Sequence, residues 1–258
     1  MNTRPNILFL SANKFGFEVF KHAQQHIDGN FYVMTLSADS SVKMYDSVST
    51  ASWKKHCSNV FEISSIRTES ALDTLRSLDL DVIFLCGWRQ ILSKEILGIP
   101  PYGVISFHPT PLPKGRGPAP IINSILEGWS SSAVTMYFAD SGVDSGDIID
   151  QEEFDILEDD CAYDVYQKCI MAGKKLVEKN ITAITSGRCS ATPQLESEVS
   201  YLKKLTLRDN EIDLNDPPEY NERKIRALSY PYLGAYIVNG EKKIIIDKAR
   251  LCTKTKKY

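Results

Sequence analysis

The sequence predicts an α/β protein built on a mostly parallel sheet that helices cover on both faces. Two observations support this: short apolar runs alternate with segments in which apolar residues recur at helical spacing, and the runs are apolar throughout. Strands buried on both faces are typical of parallel sheets. The architecture is therefore Rossmann-like. An Asn-Gly pair near the end of the chain adds a third signal, which predicts a small C-terminal helix and β-hairpin appendage.

In the first half of the chain, the elements alternate in type. Short apolar runs predict strands at Asn6–Leu10, Phe31–Leu36, Asp81–Cys86 and Val104–Phe107. Helical spacing or a following proline pair predicts helices at Phe15–Gln25, Thr68–Leu78 and Ile91–Leu97. The serine-rich stretch Asp39–Thr50 is polar and predicts a loop or weak structure.

In the second half, two loops separate the predicted elements. Pro109–Pro120 holds five prolines and two glycines, and Ala139–Asp147 is acidic and contains glycine. The elements predicted around them are the helices Ile121–Glu127, Cys161–Thr185 and Pro218–Leu228, and the strands Ala133–Phe138 and Ile148–Phe154. The hairpin strands Tyr236–Val238 and Lys243–Asp247 flank Asn239-Gly240. We expect residues 1–189 to form the main domain and residues 190–258 a small subdomain.

Composition and charge exclude several classes of protein. The 258 residues are 43% hydrophobic and 24% charged, which is ordinary for a globular protein with a core. A formal net charge of -3 gives no electrostatic case for nucleic-acid binding. The apolar run at Ile7–Leu10 is too short for a leader or membrane span. Six scattered cysteines show no metal-ligand spacing and fit a reducing compartment, so we expect a cytoplasmic protein with no metal site and no membrane contact.

Three features are expected to meet at one edge of the sheet. His108 follows a buried strand, the proline-rich loop follows His108, and the acidic loop Asp140–Asp147 follows the strand after that. In open parallel sheets, ligands bind outside the carboxyl ends of the strands. Taken singly, each feature is better explained as an ordinary structural loop or loop residue, and it is the combination that indicates a site.

The combination resembles the folate-dependent formyltransferases. Ser106–Gly117 matches their loop pattern N-x-H-x-S-L-L-P-x-x-R-G, and Gly142–Asp147 matches the later G-x-D-x-G-D. Ala133–Phe138 stands where the family has a strand of the type G-V-T-x-H. The family includes glycinamide ribonucleotide transformylase, methionyl-tRNA formyltransferase and the nucleotide-sugar formyltransferases. The resemblance extends over essentially the whole chain and implies an enzyme that uses 10-formyltetrahydrofolate as formyl donor.

The resemblance also implies roles for individual residues. His108 handles the proton and the oxyanion, since a histidine titrates near operating pH. Asp144 is implied to hold the imidazole or an ordered water and to stabilise the cationic ring. The Leu112-Pro113 bond is expected to be cis. Ser106 departs from the family, which has an asparagine there as oxyanion donor, so either Ser106 works directly or through water, another group substitutes, or the enzyme is weak.

Folate binding is implied for two segments and the proline loop. The positions are Gly87, Trp88, Arg89, Ile91, Leu112, Pro113, Phe138, Asp140, Gly142 and Val143. Such sites recognise the pterin by main-chain groups, so side-chain identity says little. Trp88 and Arg89 are equally compatible with a core anchor and a solvated charge.

The segment Lys224–Tyr236 favours one acceptor class. It looks like the nucleotide-sugar enzymes, whose equivalent reads approximately R-A-x-x-x-P-Y-P-G-A, although Leu233 replaces the second proline. The resemblance implies a nucleotide-linked amino-deoxy sugar destined for a surface glycan. Asn13, Lys14 and Arg116 are candidate phosphate contacts or loop stabilisers. Tyr230 and Tyr232 are candidates to stack on the base or to pack the hairpin, which is also a candidate homodimer interface.

Other acceptors fit the sequence less well. Methionyl-tRNA enzymes carry a complete basic C-terminal domain, whereas this chain is acidic overall. Glycinamide ribonucleotide enzymes carry a glycine-serine phosphate loop, where this chain has Ser11–Lys14.

Two alternatives do not transfer the formyl group to an amine. A formyltetrahydrofolate hydrolase normally has an N-terminal regulatory domain, for which a first strand at Asn6 leaves no room. A non-catalytic folate-binding homologue is the remaining alternative, and Ser106 is its only support.

Overall fold

The computed structural model describes residues 4–42 and 45–252. Its strands are β1 (Asn6–Leu10), β2 (Asn30–Leu36), β3 (Val60–Ile63), β4 (Val82–Leu85), β5 (Val104–His108), β6 (Ser131–Phe138), β7 (Ile148–Asp155), β8 (Ala235–Asn239) and β9 (Lys242–Ile246). Its α-helices are α1 (Lys14–His26), α2 (Thr50–Lys54), α3 (Glu69–Ser77), α4 (Lys94–Leu97), α5 (Pro120–Leu126), α6 (Ala162–Thr185) and α7 (Pro218–Leu228). Two short 3-10 helices cover Glu196–Glu198 and Leu207–Asn210.

Seven strands form one sheet in the order β3-β2-β1-β4-β5-β6-β7. The five strands from β3 to β5 run parallel, while β6 and β7 are antiparallel to their neighbours. The hairpin β8-β9 forms a separate antiparallel pair. The prediction of a mostly parallel sheet with a C-terminal helix and hairpin is confirmed.

Helices cover both faces of this sheet, as predicted. Alternate residues of β1 point to opposite sides, so Phe9 joins one buried cluster and Leu8 the other. The first cluster contains residues of α1 and α6, including Phe20 and Leu176, and the second contains Leu75 of α3. Because both sides are covered, the central strand β4 is apolar throughout, and β1 is apolar after Asn6. The outer strand β7 carries polar residues along its length.

The sequence did not predict α2 or β3. Helix α2 is short and is fixed by two contacts: Ser49 caps its first turn, and the Trp53 ring is fully buried in the core. Strand β3 has four residues at the sheet edge, with Glu62 exposed. Elements this short leave no periodicity to detect. Of the predicted loop Asp39–Thr50, residues 43–44 lie outside the described residues, and Thr50 begins α2.

The segment after α6 closes onto the loop that follows β5. The backbone N–H groups of Gly115 and Arg116 both donate to the carbonyl of Ser200, and the N–H of Leu202 donates to the carbonyl of Arg116. These bonds join the start of the proposed subdomain to the main sheet. The division at residue 189 stays a prediction.

Within the described ranges, no helix is long and apolar enough to cross a membrane.

Candidate active site

His108 ends β5 at the carboxyl edge of the sheet, under the loop that follows it. Its ring is buried, with 6% of the residue exposed. The ring Nε2 lies 2.8 Å from the carbonyl of Gly115, and Nδ1 lies 3.6 Å from Oδ2 of Asp144. The loop brings Gly115 to the ring, and the Leu112-Pro113 peptide within it is cis, as the resemblance implies.

Asp144 is held towards His108 from three sides. Its backbone is left-handed, with φ 51°. The N–H of Gly117 donates to Oδ2 at 2.9 Å, and the Tyr137 hydroxyl donates to Oδ1 at 2.8 Å. The side-chain amide of Gln194 donates to the Asp144 carbonyl at 2.9 Å. Both carboxylate oxygens therefore have fixed directions, and Oδ2 also faces the imidazole.

Both ring nitrogens of His108 therefore face oxygen acceptors. The carbonyl of Gly115 can only accept, so Nε2 carries the proton of that hydrogen bond. At 3.6 Å the Nδ1 contact is an ion-pair distance and exceeds a hydrogen bond. The Asp144 carboxylate thus lies on the Nδ1 side of the ring, opposite the Gly115 carbonyl.

Tyr137 is a member of the site that sequence reasoning missed. Antiparallel pairing of β5 with β6 places it opposite Ser106, on the same face of the sheet. Burial raises the pKa of Tyr137 well above its usual range, and the nearby charge of Asp144 raises it further. The phenol thus stays protonated and donates to Asp144. The sequence contains one signal that could have identified this residue. Tyr137 stands at the position of the histidine in the family's strand pattern G-V-T-x-H.

A second polar layer fixes the loop over the histidine. The hydroxyl of Thr135, which is the β6 partner of His108, donates to the Thr110 carbonyl and accepts from the N–H of Leu112. Gln151 on β7 donates to both Thr135 Oγ1 and the Leu112 carbonyl at 2.8 Å. The predicted folate residue Leu112 is itself buried. These bonds attach both halves of the Leu112-Pro113 turn to the sheet.

Arg116 has partners within the protein. Its buried guanidinium donates to Gln194 Oε1 and Glu196 Oε1, each at 3.0 Å. Gln194 in turn donates to the carbonyls of Asp144 and Gly146. Arg116 thus supports the Asp144 loop through Gln194. A direct contact with a substrate phosphate stays a prediction.

The Asp144 loop depends on a glycine where it passes β6. A Cβ added at Gly146 would lie 1.7 Å from the carbonyl oxygen of Phe138, which is backbone and cannot rotate away. The predicted folate residues Asp140 and Gly142 lie in the same loop, where Asp140 Oδ1 accepts from the Gly142 N–H and the Ser145 hydroxyl. The turn is therefore closed by its own side chains and by contact with β6.

Gly146→Ala is expected to destabilise the fold by about 1–3 kcal/mol or more, since overpacking forces backbone movement. Urea unfolding of the purified protein measures this as a lower midpoint. Gly98→Ala is the matched control, because its added Cβ would meet only ordinary contacts at 3.5 and 3.6 Å. Equal midpoints for the two variants would show that the loop does not need this close approach.

The remaining predicted folate residues surround the carboxyl ends of β4 and β6, the neighbours of β5. Gly87 has φ 61°, and a Cβ there would lie 2.1 Å from the Asn13 amide. The buried indole N–H of Trp88 has no hydrogen-bond partner among the described residues. Ile91 and Val143 are exposed apolar side chains, at 66% and 55%. Arg89 lies over the Tyr45 ring at 5.4 Å, and Phe138 pairs with Ile105.

Of the predicted substrate residues on this side of the sheet, one caps a helix and the others lie in a cluster of tyrosine rings. Asn13 is buried and caps α1, since its Oδ1 accepts from the Gly16 N–H at 3.0 Å. Lys14 lies 5.8 Å from the centre of the Tyr163 ring, and Tyr163 is 5.6 Å from Tyr230. Tyr230 is two-thirds exposed, whereas Tyr232 is partly buried, and the centres of the Tyr232 and Tyr45 rings lie 6.3 Å apart. Sequence reasoning did not identify Tyr45 or Tyr163 in this cluster.

Comparison with known proteins adds two findings. The profile of the formyl transferase family matches residues 10–181. A likely sugar N-formyltransferase from Mycobacterium tuberculosis is similar in structure, with TM-score 0.75 at 20% identity over 97% of this chain and 99% of that one. A 4-N formyltransferase from Francisella tularensis gives TM-score 0.74 at 22% identity over 96% and 98%.

A third solved structure contains ligands. It is an N-formyltransferase from Helicobacter canadensis in complex with folinic acid and dTDP-3-aminofucose. Its TM-score is 0.72 at 21% identity, over 94% of this chain and 87% of that chain. At these identities, the structural similarity by itself shows the shared fold.

Proposed function

The chain belongs to the formyl transferase family, and on that premise we propose that it moves a formyl group from 10-formyltetrahydrofolate to the amine of a nucleotide-linked amino-deoxy sugar. The reaction would serve surface glycan synthesis and take place in the cytoplasm. The observation that carries the proposal is the buried His108 ring facing the Asp144 carboxylate at the carboxyl edge of the sheet.

The proposed transfer proceeds by attack of the sugar amine on the formyl carbon. A C–N bond forms, an oxyanion develops on the formyl oxygen, and the bond to the folate nitrogen then breaks. For these steps Nε2 of His108 must leave the Gly115 carbonyl, with the ring proton moved to Nδ1 on the Asp144 side. Nε2 then accepts the amine proton, the imidazolium that forms stabilises the oxyanion, and the proton passes to the departing folate nitrogen. Asp144 stabilises the imidazolium while it carries that proton. These steps need only the side chains described and the two substrates.

We propose that Tyr137 compensates for the serine at position 106. Tyr137 lies opposite Ser106 in the sheet, and its hydroxyl donates to Oδ1 of Asp144 at 2.8 Å, which helps to fix the carboxylate beside His108. A phenol that stays protonated also provides a donor of fixed direction in a buried site. Ser106 then acts through Tyr137, and Tyr137 is a positioning residue for Asp144.

Tyr137→Phe is expected to lower kcat by about 10- to 100-fold, because it removes a hydrogen bond to a charged group worth about 1.5–3 kcal/mol. Steady-state kinetics with the best acceptor measures this, and Tyr32→Phe on β2 is the control. Ser106→Asn is expected to lower activity as well, since the larger amide must displace the phenol. A gain of activity in Ser106→Asn would show that the serine disables the site and that Tyr137 does not compensate.

The folate is proposed to lie across the loops after β4 and β6. The unpartnered indole N–H of Trp88 and the exposed apolar side chains of Ile91 and Val143 are consistent with a bound planar ring. The cis Leu112-Pro113 turn borders the same space. Gly87, Arg89, Pro113, Phe138, Asp140 and Gly142 complete the proposed set.

The sugar nucleotide is proposed to lie on the side of α1. Lys14 is the candidate for the diphosphate, and the neighbouring rings of Tyr163 and Tyr230 offer a surface for the base. Tyr232 and Asn13 support this surface from within. We also propose a homodimer through the hairpin, where Val238, Ile244 and Ile245 are about half exposed.

A panel assay tests the choice of acceptor. The protein is mixed with 10-formyltetrahydrofolate and with UDP- or dTDP-linked 3- and 4-amino-deoxy sugars, glycinamide ribonucleotide or methionyl-tRNA, and release of tetrahydrofolate is followed. We expect turnover with one sugar nucleotide. Turnover only with glycinamide ribonucleotide or methionyl-tRNA would overturn the sugar assignment while keeping formyl transfer. Folate binding without turnover by any acceptor would favour a non-catalytic homologue.

A further inference from the structure

Three ligand-type side chains meet where α1 packs on α6, away from the site described above. His22 and His26 lie one helical turn apart on α1, and Glu178 lies on α6. One ligand atom from each lies within 4.8 Å of the others, and no further group of this kind occurs among the described residues. The sequence predicts no metal site, because Glu178 is far from the two histidines along the chain.

The spacing of these atoms matches a tetrahedral metal centre. Zinc binds imidazole nitrogen and carboxylate oxygen at about 2.0–2.2 Å, which places tetrahedral ligand atoms roughly 3.3–3.5 Å apart. Glu178 Oε2 lies 3.3 Å from His22 Nε2 and 3.8 Å from His26 Nε2. Small side-chain rotations would therefore bring all three atoms to bonding distance.

A hydrogen bond at Nδ1 of His26 orients the ring so that Nε2 can bind a metal ion. Its Nδ1 lies 2.8 Å from the carbonyl of His22, which can only accept, so Nδ1 carries the proton. In the neutral ring, Nε2 is then left with a lone pair, and it faces Glu178. A hydrogen bond from the second ring nitrogen to a carbonyl is the usual support of a metal-binding histidine.

The lysines near Glu178 pair with other carboxylates, which leaves the Glu178 carboxylate available to bind a cation. Three lysines flank it on α6, and each of them pairs with another carboxylate: Lys174 with Glu18, and Lys175 and Lys179 with Glu152. The contacts of the Glu178 carboxylate in the described chain are the two imidazoles. A cation held between them would face one negative charge and no free ammonium group from this helix.

We propose that His22, His26 and Glu178 bind one Zn²⁺, with water as fourth ligand, and that the ion ties α1 to α6. Helix α1 begins after the carboxyl end of β1 and runs back along the sheet, so its last turns lie near the opposite edge from His108. The ion is therefore structural and takes no part in formyl transfer. Its effect is to stabilise the folded chain by binding it in preference to the unfolded one.

Zinc titration of the full chain tests the site, with a competing chromophoric chelator as reporter. We expect one Zn²⁺ per chain, and Glu178→Gln and His26→Gln are each expected to weaken binding by about 10- to 100-fold or more. The control His56→Gln should bind as the unaltered chain does, because His56 lies outside the cluster. At zinc about 100 times Kd, the melting temperature should rise by about 5–10 °C in the unaltered chain and in His56→Gln only.

Further measurements distinguish loss of zinc binding from loss of stability and from loss of formyl transfer, and they identify the ligands. Melting in chelator alone shows whether a variant is unstable without metal, and formyl transfer in chelator tests the catalytic account separately. Cobalt substitution reports the ligands, since a thiolate charge-transfer band would place the ion on cysteines. Absence of zinc binding, or unchanged binding in both cluster variants, would overturn the proposal and leave the proposed reaction unaffected.

Discussion

Formyl transfer by His108→Ala is expected to be about 10²–10⁴-fold slower in kcat than in the unaltered enzyme, which is the usual contribution of a positioned acid–base group. The ring is buried between the Gly115 carbonyl and the Asp144 carboxylate. No other histidine of the chain lies in this site to take over its proton. KM for the sugar should change little, since the proposed contacts with the nucleotide lie on the side of α1.

Initial rates of tetrahydrofolate release, measured with the best acceptor, test this expectation. Alanine leaves a cavity and an unpaired carbonyl, so His108→Asn serves as a second variant that can still donate towards Gly115. Melting temperatures separate loss of fold from loss of chemistry. His56→Ala is the control, because His56 is an exposed histidine beside Phe17. A folded His108→Asn protein with nearly full activity would remove His108 from the mechanism.

The second large effect is expected at Asp144. Asp144→Asn is close to isosteric, and asparagine tolerates the left-handed backbone found there. The substitution removes the charge that stabilises the imidazolium, so kcat should fall by about 10²–10⁴-fold. Gly117 and Tyr137 now donate to the two carboxylate oxygens, and the amide can accept from only one of them.

The kinetics of Asp144→Asn are compared with those of Asp159→Asn, which alters an exposed aspartate before α6. Folate affinity, measured by titration without acceptor, should be similar in both variants. A loss confined to folate affinity, with normal kcat at saturation, would assign Asp144 to cofactor binding and contradict its role beside His108.

Local sequence patterns were sufficient to predict where the site lies. His108 follows an apolar run, which places it at the carboxyl edge of the sheet. The family resemblance linked the Asp144 motif to His108, since β6 runs antiparallel to β5 and spacing alone does not bring the two together. The register of β5 with β6 could not be predicted in this way. Tyr137 therefore escaped notice, although it lies opposite Ser106 and its hydroxyl donates to the Asp144 carboxylate.

Contacts made by distant segments were also beyond sequence reasoning. Gln194 and Ser200 follow the long α6 helix and have no motif, yet they hold the Asp144 loop and the loop over His108. The same limit applies to Glu178, which meets two histidines only because α1 packs on α6. Arg116 shows the converse case, since a residue chosen as a phosphate contact has internal partners.

The most direct test of the proposed function follows the formyl carbon itself. The donor is prepared with a ¹³C-labelled formyl group, mixed with the protein and a dTDP- or UDP-linked amino sugar, and the products are separated and examined by NMR. We expect the label to appear in an amide bond on the sugar amine, and His108→Asn to abolish this signal. Label recovered as formate, with the sugar unchanged, would contradict the account and identify the protein as a hydrolase.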